Sequence, residues 1–187
     1  MKYYTGVGSR STPKDIMQLM SSLAYKLAGE GYILRSGAAQ GADTAFEDGC
    51  KEYWLDSSMN MCPTLAQIYI PWSSFATPEE YYKDWYRVLD RMPNNAKAYE
   101  IASQTHPAWN RCSRGAKALH ARNVYQVLGN NLASPSQFLV CWAPVYKDGR
   151  PKGGTATAWN LAEKVGVKHL FNLYKDEDRK RIEEWVK

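Results

Sequence analysis

Three short stretches of glycine and small residues carry the clearest chemistry in this chain: Gly6-Val7-Gly8-Ser9-Arg10, Ser36-Gly37-Ala38-Ala39-Gln40-Gly41-Ala42-Asp43 and Gly153-Gly154-Thr155-Ala156-Thr157. Each leads into a stretch with helical periodicity. Small residues at such an entrance let backbone N–H groups approach an anion, and the helix dipole favours its charge. Thr155 and Thr157 add hydroxyl groups, which makes 153–157 the best phosphate cradle, with Gly8, Ser9, Ser36, Gly37, Ala38 and Gly41 as further ligand-facing candidates. Arg10 and Arg122 are candidate counter-charges, because a guanidinium engages two phosphate oxygens at once. Any one of these loops alone is explained by a tight turn that needs glycine; three together point to a ligand. The first loop lacks the dinucleotide-fingerprint spacing and the chain has no Walker A lysine pattern, which argues against ordinary NAD enzymes and P-loop NTPases.

For acid–base work the candidates are Asp43 and Glu47, four residues apart and therefore on one helix face beside the second loop. Such a pair can polarise a ribose hydroxyl or activate water. The bland alternatives are a helix-capping role for Asp43 and a solvated Glu47. His106, His120 and His169 show no metal-ligand spacing, so neither a bound metal nor a cofactor is expected. Trp72, Trp85, Trp109 and Trp142 are either stacking partners for a base or core residues. Cys50, Cys62, Cys112 and Cys141 lack paired spacing and read as reduced and structural.

The net charge of +5 is concentrated. Between Ile101 and Lys147 there is no Asp or Glu, whereas Arg111, Arg114, Lys117, Arg122 and Lys147 carry positive charge. That distribution suits a phosphate-bearing ligand or nucleic acid, although a solvated helix face accounts for it equally well. At 100° per residue, Arg111, Gly115, Ala118 and Arg122 share a sector if the helix begins ahead of Arg111, with Cys112, Ala116, Leu119, Asn123 and Val127 on the opposing core side.

The elements that must position these residues alternate. Strands are expected at 2–6, 32–35, 65–70, 137–142 and 167–173, and helices at 12–29, from 43 to about 54, 77–90, 94–103, 112–128, 153–165 and 176–186. Thr12 reads as the first N-cap, ahead of Pro13 and Asp15. Strands alternating with helices of this length imply an α/β fold, a mainly parallel sheet covered on both faces, in a single domain spanning 1–187. At 187 residues with 44% hydrophobic content, the chain has enough apolar surface to fold without disulfides. It contains no apolar run of membrane-spanning length and starts without an apolar signal core, so a cytoplasmic protein is expected.

The two glycine-rich blocks, followed by His120-Ala121-Arg122-Asn123 and Gly153-Gly154-Thr155 in that order, resemble the SLOG superfamily of Rossmann-like nucleotide-binding proteins, which includes DprA proteins and LOG-type phosphoribohydrolases. The similarity covers about 1–56 and 112–175 and leaves 57–111 as a helical insertion. Residues 36–43 are close to the DprA pattern, and Arg122-Asn123 match its Arg-Asn and fall where LOG enzymes carry a catalytic arginine. The LOG Pro-Gly-Gly-x-Gly-Thr motif is incomplete: Lys152 replaces the proline, Thr155 follows the glycine pair directly, and no acid occurs before Glu163.

The resemblance implies a nucleotide-binding protein, with a homo-oligomer as the expected assembly. The leading expectation is hydrolysis of the N-glycosidic bond of a nucleoside 5′-monophosphate, with Asp43 or Glu47 aiding an oxocarbenium-like transition state. The displaced acid favours instead a protein that senses or sequesters a nucleotide-derived ligand. A DprA-like single-stranded DNA binder is the third reading, supported by the acid-free stretch and the aromatic content.

Overall fold

The computed structural model describes residues 1–57 and 64–187. Six strands form one all-parallel sheet: β1 (Lys2–Gly8), β2 (Tyr32–Ser36), β3 (Ala66–Ile70), β4 (Tyr86–Val88), β5 (Phe138–Trp142) and β6 (His169–Asn172), in the order β4-β3-β2-β1-β5-β6. The helices are α1 (Lys14–Gly29), α2 (Ala42–Asp56), α3 (Asn95–Thr105), α4 (Arg114–Leu128), α5 (Thr155–Lys164) and α6 (Asp176–Val186). This is the α/β, Rossmann-like architecture expected from the alternation.

Side chains on β1 alternate between two cores, as the strand period of 2 requires. Tyr4 faces a cluster with Met20, Leu23 and Leu27 of α1, Phe46 of α2 and Ile182 of α6. Val7 faces the other, with Ala98 and Ala102 of α3, Val124 and Tyr125 of α4 and Leu161 of α5. Full burial of each Leu, Ile or Phe contributes about 1.5–3 kcal/mol, so the sheet is clamped from both sides. From β1 the chain winds outward to β4, then returns through α3 and α4 to β5 on the opposite flank of β1. The reversal leaves a crevice beyond the carboxyl ends of β1 and β5, the usual ligand position in such sheets.

Four local expectations are corrected. Residues 77–90 do not form one helix: a 3-10 turn at Glu80–Trp85 is followed by β4 and a second 3-10 turn at Leu89–Arg91. Pairing of Tyr86–Val88 with Ile68–Ile70 adds an edge strand, and the turn sinks Tyr82 and Trp85 into the core. A tertiary ladder and aromatic burial thus outweigh a helix-start signal. Thr12 is not the cap of α1, because its backbone N–H and hydroxyl both donate to the Ser9 carbonyl and brace the first loop. Helix α4 starts at Arg114, capped by Ser113 accepting from the Ala116 N–H, so exposed Arg111 lies in a preceding turn and its sector with Arg122 dissolves. Ala118, assigned to that ligand sector, is instead core.

Within 57–111 the chain supplies β3 and β4 to the sheet edge and α3, which packs on α4. Cys50 and Cys141 are buried free thiols, and burial pushes Cys50 up to about 12; Cys62 lies outside the described residues. No helix among the described residues is long and apolar enough to cross a membrane.

Candidate functional site

The crevice at the β1/β5 switch is a cleft of about 790 Å³, walled by the loop after β1, the cleft face of α4, the 146–154 segment and the first turn of α5. Of the expected ligand residues, Gly8, Ser9, Arg10, Asp43, Arg122, Asn123, Gly153, Gly154, Thr155 and Thr157 converge here. Their sequence separation is large, and only the crossover through α4 brings them together.

The α5 entrance has the properties of an anion cradle. Gly153 and Gly154 border open space, and among the described residues no protein acceptor takes the N–H of Gly153, Gly154 or Thr155. Free N–H groups at a helix N-terminus carry the positive end of the dipole. Asn123 donates its Nδ2 to the Gly154 carbonyl at 3.1 Å, tying α4 to the cradle. Thr157 differs from expectation in its partner: its hydroxyl pairs with His120 Nδ1 at 2.9 Å.

Arg122 is 5% exposed, and two acceptors hold its Nη1. Its Nη1 donates to Asp43 Oδ2 at 3.3 Å and, with the Gln126 amide turned to satisfy its neighbours, to the Gln126 carbonyl at 2.6 Å. The same Gln126 carbonyl accepts from the Gly37 N–H at 3.0 Å. The Arg122 Nε is buried with no partner. Burial raises the Asp43 carboxyl even though Arg122 and the N–H groups of Ala39 and Gly8 oppose the shift, and burial lowers Arg122 with a further push from Arg10. Desolvation of two charges outweighs their mutual attraction, as expected for an ion pair withdrawn from water.

The second glycine-rich loop has another use than the one expected. A Cβ on Gly37 would lie 1.1 Å from Arg122 Nη1, so this glycine is the socket for the guanidinium. At Gly41, φ is +92° and a Cβ would meet the Ser9 carbonyl at 2.6 Å, so the residue lets the first two loops pack. Ser36, Gly37, Ala38 and Gly41 do not line the cleft; Ala39 and Asp43 do. The loop positions an arginine.

Asp43 and Glu47, expected as one acid–base pair, are separated in role. Asp43 accepts from the Gly8 N–H at 3.1 Å as well as from Arg122. Glu47 does not line the cleft; its Oε1 accepts from the Tyr86 hydroxyl at 2.7 Å and pairs with Lys51 at 2.9 Å. It anchors β4 to α2. None of Trp72, Trp85, Trp109 and Trp142 lines the cleft, whose aromatic side chain is the exposed Tyr146.

Sequence reasoning missed Gln126 and the association of His106, Cys112 and His120. Gln126 falls four residues after Arg122, a spacing that places it on the same helical face. Periodicity assigns Ala116 and Leu119 to the core side of α4, yet both line the cleft. Burial, with His106 and Arg122 adding charge repulsion, pushes His120 down to about 4, so it is neutral at ordinary pH.

No family model matches the chain, and no curated protein matches it. Among solved structures it is similar to DNA processing protein A from Helicobacter pylori, described for its single-stranded DNA binding mode, with 15% identity, a TM-score of 0.40, and coverage of 99% of this chain and 80% of that one.

Proposed function

We propose that this protein binds a nucleotide or nucleotide-derived ligand in the β1/β5 cleft, with phosphate at the α5 entrance, and holds it without turnover. The observation that carries this reading is the cradle at 153–155, where three residues whose backbone N–H groups have no protein acceptor among the described residues line the same cleft as Arg122 and Arg10. Arg10 is exposed and free to fold onto a bound anion, while Arg122 is set in place beforehand by Asp43, Gln126 and the Gly37 socket. A guanidinium held in advance loses little side-chain entropy on binding, which favours affinity.

Retention without hydrolysis is supported by the carboxylates. Asp43 is committed to Gly8 and Arg122, and Glu47 lies behind the sheet edge on Tyr86 and Lys51. Glu47 is thus out of reach of the cleft, and Asp43, although it lines the cleft, has both oxygens engaged by Arg122 and a backbone N–H group. The glycosidase reading therefore ranks below binding.

The test is incubation of purified protein with nucleoside mono-, di- and triphosphates, NAD and ADP-ribose, following thermal stability and chromatographic products together. Stabilisation by at least one compound with no product is expected. Release of free base overturns the non-catalytic reading, and absence of any response overturns the cradle. Single-stranded DNA is the second reading, favoured by the acid-free stretch that includes exposed Arg111 and Arg114. Its signature is affinity that falls steeply with salt.

A further inference from the structure

We propose that His106, Cys112 and His120 form a binding site for a zinc-class divalent metal ion on the wall of the cleft. The three come from the end of α3, the connecting segment and the middle of α4, six and eight residues apart, a spacing without the paired pattern that marks most metal sites in sequence. The fold nonetheless brings one ligand atom from each within 4.8 Å of the others. A tetrahedral zinc ion with bonds of about 2.0–2.3 Å needs ligand separations of about 3.3–3.6 Å. The Cys112 sulfur is already 3.8 Å from His106 Nδ1, and the two imidazole rings are 4.2 Å apart between centroids. His106 and Cys112 are only half-buried, so small side-chain rotations close the remaining gap.

His106 Nδ1 accepts from the Ala108 N–H at 3.2 Å, which makes it the unprotonated ring nitrogen; a metal bound there exchanges that hydrogen bond for a coordinate bond. His120 Nδ1 is fixed by the Thr157 hydroxyl at 2.9 Å, which leaves Nε2 as the ligand atom and supplies the outer hydrogen bond that metal-bound histidines usually have. Two nitrogens and one sulfur suit zinc or cobalt(II) and not magnesium or calcium, which prefer oxygen. On binding, Cys112 releases its thiol proton to solvent and coordinates as the thiolate.

Three protein ligands leave a fourth coordination position. His106 and His120 both line the cleft, next to Thr157 of the first turn of α5, so that position is open to water or to an oxygen of a molecule in the cleft. The metal site does not depend on the nucleotide reading, and its test uses no nucleotide.

Untagged protein, stripped with chelator under reducing conditions, is titrated with cobalt(II) and then with zinc. One equivalent of cobalt(II) is expected, with a near-ultraviolet thiolate charge-transfer band and a visible spectrum of tetrahedral intensity, both abolished when zinc displaces it. Cys112→Ser should remove the charge-transfer band, and His120→Ala should weaken zinc affinity more than Thr157→Val, for which a loss of about 10–100-fold is expected. His106→Gln, at a half-exposed position, serves if a variant at His120 fails to fold. Absence of a stoichiometric site in the wild-type protein overturns the proposal. So does a cobalt spectrum, or a zinc affinity, that is unchanged in folded Cys112→Ser and His106→Gln.

Discussion

Two buried arginines lie on the α4 side of the sheet, and the difference between them separates scaffold from site. Arg35 of β2 is 2% exposed, donates to the Gln67 side chain at 3.1 Å and to the Ser134 carbonyl at 2.6 Å, and lies over the Tyr3 ring at 3.8 Å. Arg122 of α4 has a carboxylate partner, an unpartnered Nε and a place on the cleft wall. Each requires a glycine: a Cβ on Gly129 would lie 2.3 Å from Arg35 Nη2, as one on Gly37 would collide with Arg122. The same packing device therefore serves two ends. Arg35 is absorbed by the carbonyls and the ring around it, whereas Arg122, which also lies over a ring, that of Phe75 at 5.9 Å, stands on the cleft wall with its hydrogen bonds on a single nitrogen.

The sharpest way to break this comparison is Gly37→Ala. Expelling Arg122 leaves Asp43 buried without its partner, and a loss of about 3–5 kcal/mol is expected in denaturant unfolding, together with loss of ligand stabilisation. A variant that unfolds like the parent would show that the socket is not needed.

Arg122→Gln paired with Asp43→Asn removes both charges and should spare much of the stability. Ligand affinity should fall about 30–100-fold in calorimetric titration, corresponding to loss of about 2–3 kcal/mol from a charge-assisted contact. Unchanged affinity would take Arg122 out of the site. Arg35→Met is the converse case: a loss of about 1–3 kcal/mol from unsatisfied Gln67 and Ser134 groups, with ligand affinity within about twofold of the parent.

For metal-free protein, His120 sets a pH dependence. The folded state holds it near 4 against 6.5 for an ordinary histidine, so between those values the unfolded chain binds more protons. Stability should be fully present above pH 6.5 and decline as pH falls toward 4, and His120→Gln should flatten that part of the profile. The smallest effect expected is for Glu47→Gln, which keeps the Tyr86 contact and loses only the partly exposed Lys51 pairing. About 1 kcal/mol or less of stability should be lost, and ligand affinity should be unchanged, as measured by melting and titration.

Much of the fold was legible because its signals are local. The apolar run at 138–142 reads as a buried parallel strand, and the stripe of Ile16, Met20, Leu23 and Leu27 reads as one face of a helix. Residues 86–88 were illegible as β4, since a three-residue edge strand exists only through its ladder with β3. The site divides in the same way. The α5 entrance was readable from Gly153-Gly154-Thr155, because a glycine pair before a helix has local meaning. The role of Gly37 was not, because its reason for being glycine is a guanidinium 85 residues later in the chain.

By itself, the sequence determined the alternation of strands and helices, the small residues at the helix entrances, and the acid-free basic stretch. Those properties follow from side-chain size, periodicity and charge, which neighbouring residues express together. Only the tertiary structure decided that Asp43 pairs with Arg122 while Glu47 holds the sheet edge, and that His106, Cys112 and His120 meet. Burial and contact between distant segments change what a carboxylate, an imidazole or a thiol can do, and these arise only when the crossover through α4 closes onto the sheet.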